Sequence, residues 1–167
     1  PPGNQTAVQS SYHTATFGDA VGSELRIVFT ENFVTVNSIS FNNEMGGSYA
    51  IAGRSVNMNA SIVGMAASVG AAAGPHEFQA SFCIVSNTTG NVAAGAQLTF
   101  NNGLNLNGQT LTKRGDGTMT VNNVLNTGGG TRVGHEGTIS GSGTVGRNLN
   151  CQGGTISPGR FPGQTSS

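Results

Sequence analysis

Gly117-Thr118-Met119, Gly137-Thr138-Ile139, Gly143-Thr144-Val145 and Gly154-Thr155-Ile156 repeat one phrase through the last third of the chain. Glycine supplies the positive φ of a tight turn, and a β-branched threonine opens a strand well. A chain that repeats the pair turns a corner, lays down a short strand and turns again. That rhythm predicts an all-β fold, a right-handed parallel β-helix (β-solenoid) of short strands with Gly- and Asn-rich turns.

Composition suits a thin core. The 167 residues include 27 glycines and no tryptophan, and the hydrophobic share is 35%. Only 8% of residues are charged, with seven acids balancing seven lysines and arginines. Phosphate neutralisation needs clustered Lys and Arg, so nucleic acid is excluded as a partner. No apolar run reaches the roughly 18–20 residues of a membrane span. The start at Pro1-Pro2-Gly3 without methionine, together with the Thr, Asn and Gly content, leads us to expect a processed, extracellular or cell-surface chain.

Outward from the repeat, apolar alternation predicts strands almost everywhere. The inward series read Leu25-Ile27-Phe29, Val34-Val36, Ile39-Phe41, Tyr49-Ile51 and Val56-Met58, then Phe78-Ala80-Phe82-Ile84, Leu98-Phe100, Leu104-Leu106 and Met119-Val121. Turn residues such as Asn42-Asn43 and Asn101-Asn102-Gly103 separate them. Residues Ile62 to Ala73 carry enough alanine for a helix, but two glycines, two valines and neighbouring strands favour solenoid strands. The organisation expected is an extended segment at 1–14, one solenoid at 15–159 that tapers past Gly103, and a polar tail at 160–167.

The stretch Thr110 to Val121 (TLTKRGDGTMTV), followed by Asn126 to Thr131 (NTGGGT), resembles the autotransporter-associated β-strand repeat of secreted bacterial proteins. Ala15 to Asp19 and Val36 to Asn43 are similar to its usual lead-in, and Gly153 to Gly159 (GGTISPG) to its closing phrase. The resemblance implies a β-helix on a bacterial surface. It brings no catalytic residues, and with one good copy and no translocation barrel in this stretch, export by another route is expected.

Candidate sites are few. Asp116 and Glu136 both precede Gly-Thr, about one coil apart, where stacked carboxylates could hold calcium or serve glycosidic acid–base chemistry, with His135 nearby. Two solvated turns are the plainer reading, since no third acid joins them. Arg114-Gly115-Asp116 spells an integrin tripeptide but falls where the repeat needs a turn. His13 and His76 stand alone and are read as surface or turn residues. Cys83 and Cys151 lie about three coils apart, with Cys151 on the inner face and Cys83 on the outer, so free thiols are expected; a bridge between subunits is the alternative. Asn4, Asn59 and Asn87 head glycosylation-like sequons, although asparagines stacked along turns are the commoner use in solenoids.

No cofactor or metal is expected, and the chain is not read as an enzyme. The reading is a structural subunit of an extracellular filament or surface layer, a homopolymer joined head to tail by end-to-end stacking or strand addition. Behind it stand an adhesin binding glycans or host surfaces, and then a polysaccharide-active β-helix enzyme.

Overall fold

Short alternating runs cut by tight corners cannot fold back as hairpins without burying polar faces, so each strand pairs in parallel with one a full coil away. The computed structural model describes residues 13–59, 67–123, 125–126, 131–133, 137–143 and 149–159. The first three coils are β1 (Thr14–Phe17), β2 (Leu25–Thr30), β3 (Val34–Val36); β4 (Ser38–Phe41), β5 (Ser48–Gly53), β6 (Val56–Met58); and β7 (Ala67–Ala71), β8 (Pro75–Phe78), β9 (Phe82–Ile84). The next two are β10 (Thr88–Val92), β11 (Gln97–Phe100), β12 (Leu104–Asn105), and β13 (Leu111–Arg114), β14 (Thr118–Val121), β15 (Leu125–Asn126). Two shorter coils follow, β16 (Thr131–Val133) with β17 (Thr138–Gly141), and β18 (Leu149–Cys151) with β19 (Thr155–Pro158).

Among the described residues, the first strand of every coil joins one seven-stranded sheet, the second strand another, and the third a five-stranded sheet. The molecule is a parallel β-solenoid. Among the described residues the sole helical element is a single 3-10 turn, Asp19–Val21. Ala67–Ala71 is strand, which decides against helix for the part of the Ile62–Ala73 stretch that is described. The segments 1–12 and 160–167, most of the expected extended segment and the whole expected tail, lie outside the described residues.

Parallel register stacks like positions into columns, and the core is built from those columns. Phe41 stacks on Phe17 at 5.1 Å and on His76 at 4.5 Å, and Phe78 stacks on Phe100 at 5.3 Å. Beyond Phe100 the interior passes to Leu111, Met119, Val121 and Ile139. First-sheet register steps from Ser38 to Ser68, Thr89, Thr112, Arg132 and Asn150, so the later coils are shorter than the one that spans 38–68. The taper is therefore a change from aromatic to single-aliphatic filling inside one continuous stack.

One expected core series points the other way. Leu25, Ile27 and Phe29 are 59%, 48% and 71% exposed. Register explains it: Val28 pairs with Ile51, which pairs with the fully buried Phe78, so Arg26, Val28 and Thr30 hold the inner positions of β2. Alternation identifies an apolar face but not the side on which the coil closes.

Three of the four Gly-Thr phrases stand one above another, with Thr118 paired to Thr138 and Thr138 to Thr155. The small residue before each has a steric cause. A Cβ at Gly117 would sit 2.6 Å from the Ala96 carbonyl oxygen and closer still to that of Ala93. Gly47 and Gly74 precede the second sheet in earlier coils and are similarly crowded by backbone of the coil before. Where an earlier coil lies beneath it, the corner leading into the second sheet is thus held by glycine, or by Ala96, whose methyl is 3% exposed.

Candidate functional site

The corner that carries the repeat phrase also carries its buried charge. Alternation along β13 turns Leu111 and Lys113 inward, and Lys113 is fully buried. Its Nζ donates to the Gly115 carbonyl oxygen, stapling the turn that contains Arg114-Gly115-Asp116. Burial pulls the Lys113 ammonium below its usual range, and the negative charge of Asp116 partly opposes that shift. Gly137 completes the arrangement, because a Cβ there would collide with the Lys113 nitrogen. Arg114 and Asp116 are exposed on either side of Gly115, whose φ is 78°. The tripeptide is a corner turn held from inside by Lys113. Sequence reading passed over this lysine, although Lys113 stands two residues after Leu111 on the same face.

His76 is not a surface or turn residue. It is 1% exposed, its Nδ1 accepts the Tyr49 N–H at 3.1 Å, and its Nε2 lies 2.7 Å from the Ala73 carbonyl oxygen. An imidazole that accepts at Nδ1 and donates at Nε2 is the neutral tautomer. Burial pushes its pKa below 6.5, against a smaller upward pull from the Ala73 bond. This histidine closes coil to coil as a core hydrogen-bonding group, the role its isolation in sequence conceals. His13 is exposed.

The remaining sequence candidates separate. Asp116 is described, while Glu136, His135 and Asn4 lie outside the described residues. Among the described residues no group of three His, Cys, Asp or Glu side chains could hold a metal ion. Asn59 and Asn87 are cross-coil brackets: Asn59 Oδ1 accepts from Ser86 Oγ at 3.0 Å, and Asn87 Oδ1 accepts the Thr110 N–H at 2.9 Å. A second amide ladder climbs the corner between the second and third sheets. Asn122 Nδ2 donates to Asn101 Oδ1 at 2.9 Å, and Asn101 Nδ2 donates to Glu77 Oε2 at 2.7 Å.

Both cysteines are free. Cys83 is in the third coil and Cys151 in the seventh, on different sheets, one coil further apart than expected because the later coils are short. Cys151 does fall in an inner column, paired with Val133, which pairs with Lys113. It is nevertheless exposed, because among the described residues β18 is the edge strand of its sheet; its Sγ contacts the Gly154 carbonyl oxygen at 2.7 Å. Cys83 faces outward and is half-buried, and burial pushes its thiol pKa up, away from nucleophilic use.

Two surface features have the shape of binding sites. A groove of about 550 Å³ crosses the outer face of the third sheet, lined by Phe33, Ser55, Asn57, Ser81, Cys83 and Asn105 among others. Its lining is uncharged, and Phe33 is 65% exposed with Arg54 5.8 Å over its ring. The second is an apolar recess of about 240 Å³ at the last coils, lined by Val121, Ile139, Leu149, Ile156 and Pro158. There the inner column of the second sheet surfaces, with Ile156 42% exposed.

These features define a parallel β-solenoid with outward amide ladders and an apolar coil end. No protein-family model matches the chain, no curated protein matches it, and no solved structure matches it. Among the described residues no helix is long and apolar enough to cross a membrane.

Proposed function

We propose that the protein is a structural subunit of an extracellular filament or surface layer, joined to further copies of itself by β-strand addition. The observation that carries this reading is the coil end formed by β18 and β19. Among the described residues each of these strands pairs on one side only, beside an apolar recess, with Ile156 of the inner column exposed. Unpaired edges over apolar side chains are templates for another strand. The opposite end differs: the exposed Arg26 takes the inner register position there, paired with Tyr49, and a charge at an edge blunts it. Head-to-tail stacking of whole coils would set Arg26 over Ile156, so addition of a strand from a second copy at the β18–β19 end is the better-supported mode. The surface setting draws on the resemblance of Thr110 to Thr131 to the autotransporter-associated repeat and on the sparse charge.

Sedimentation and electron microscopy of the purified chain across a concentration series test the proposal. Growth of assemblies with concentration, abolished by Ile156→Lys, is expected. A monomer at every concentration overturns it.

A second reading, a surface adhesin for neutral glycans, draws on the uncharged groove beside Phe33. Glycan binding by the monomer, lost on Asn57→Ala with the fold intact, would favour it over assembly.

A further inference from the structure

We propose that Asn102 is a deamidation site built into the corner between the second and third sheets, selected by its geometry over the chain's other Asn-Gly pair. The Gly103 N–H donates to Asn102 Oδ1 at 2.7 Å, which brings the backbone nitrogen against the carboxamide it must attack. Asn102 Nδ2 donates to the Gln79 carbonyl oxygen at 3.1 Å and so holds the carboxamide in that pose. Asn102 is exposed, and nothing lies within 4 Å of where a Gly103 Cβ would be, so water reaches the site and no side chain shields the nitrogen. The sheet ladder uses the Gly103 carbonyl, which accepts the Phe82 N–H at 2.9 Å, and leaves the Gly103 nitrogen to this local contact.

The reaction needs only water and hydroxide. Hydroxide takes the Gly103 amide proton, and the nitrogen forms a bond to Asn102 Cγ. The Cγ–Nδ2 bond breaks, and the side-chain nitrogen leaves as ammonia after taking a proton from water. Water then opens the five-membered succinimide at either carbonyl, giving aspartate or isoaspartate. The net change exchanges one water for one ammonia, with no oxidant or reductant. The new carboxylate replaces a donor to Gln79 with an acceptor facing an acceptor, which loosens the corner beside the outer groove that Gly103 lines.

Asn107-Gly108 supplies an internal comparison. Asn107 and Gly108 sit at φ 47° and 81°, and the Gln109 N–H closes on the Leu106 carbonyl oxygen at 2.7 Å, the pattern of a type I′ turn. Unfolded, the two pairs share the same local chemistry; folded, the preset approach exists at Asn102. The test incubates the folded protein in mildly alkaline buffer and follows both sites by peptide mapping, with a denatured sample alongside. Conversion at Asn102 is expected to outpace Asn107 about tenfold or more when folded, the scale on which positioning acts. In denaturant the two rates converge. Gly103→Ala, which the open space accommodates, should slow the folded reaction. Equal rates in the folded protein, faster loss of Asn107, or an intact Asn102 would each overturn the proposal.

Discussion

His76 Nδ1 accepts the backbone N–H of Tyr49 from the adjacent coil at 3.1 Å, with the imidazole stacked 4.5 Å from the Phe41 ring. A side chain thereby takes a backbone donor that the second-sheet ladder leaves open at its corner. The acceptor exists only while Nδ1 is unprotonated, so the ring's charge state and the coil contact are linked.

Stability should therefore fall in acid. The His76 pKa is lowered in the fold from 6.5, so the unfolded chain takes up a proton first as pH drops. The contribution is complete above 6.5 and is lost as pH falls from there toward the depressed native value. The slope approaches about 1.4 kcal/mol per pH unit for one proton. Urea midpoints across this range should show it, and His76→Leu should remove the histidine's share while costing about 1–3 kcal/mol for the orphaned Tyr49 N–H. Parallel curves for the two proteins would refute the linkage.

How far the fold is legible in sequence depends on which question is put to it. The Gly-Thr phrases announce a coil, and the stacked Thr118, Thr138 and Thr155 are that phrase in space. Period-two alternation cannot say which face is inside, which is why Leu25, Ile27 and Phe29 read as core and emerge on the surface. The roles of His76 and Lys113 are set by groups far away in sequence or across a turn, the Tyr49 N–H and the Gly115 carbonyl. Coil lengths are hidden because corners absorb a variable number of residues, so Cys83 and Cys151 fall one coil further apart than an even spacing gives.

Lys113 should be a net cost at neutral pH. Burial lowers its pKa, so protonation favours the unfolded chain, and stability rises as pH climbs through the native value toward 10.5. Lys113→Met keeps the volume and removes the buried charge. It should stabilise the protein by about 1 kcal/mol at neutral pH and abolish the alkaline rise. Thermal melts at neutral and alkaline pH read both effects, and destabilisation by the methionine would show that the Gly115 staple outweighs desolvation.

The crowded corner makes a steric prediction. Gly117→Ala forces a methyl against the Ala93 and Ala96 carbonyls, backbone atoms that cannot swing aside. The expected loss is about 2–3 kcal/mol, the upper range for overpacking. Gly18→Ala is the matched control, with nothing within 4 Å of the new carbon, and should be close to neutral. Equal denaturation midpoints for the two variants would mean that the corner is looser than its geometry.

The outward turn of β2 is tested by pairing substitutions on the surface and in the core. Phe29 is 71% exposed and Phe41 fully buried, although both sit in apolar alternation at the start of the chain. Phe29→Ser should change stability by no more than about 0.5 kcal/mol, as surface changes usually do. Phe41→Ala should cost about 3–5 kcal/mol, because Phe17, Tyr49, His76 and Phe78 all pack against its ring. If Phe29→Ser proves as damaging as Phe41→Ala in a monomeric sample, β2 closes on the core with its other face. If the cost appears only at concentrations where the protein assembles, the exposed Leu25-Ile27-Phe29 row is buried between copies.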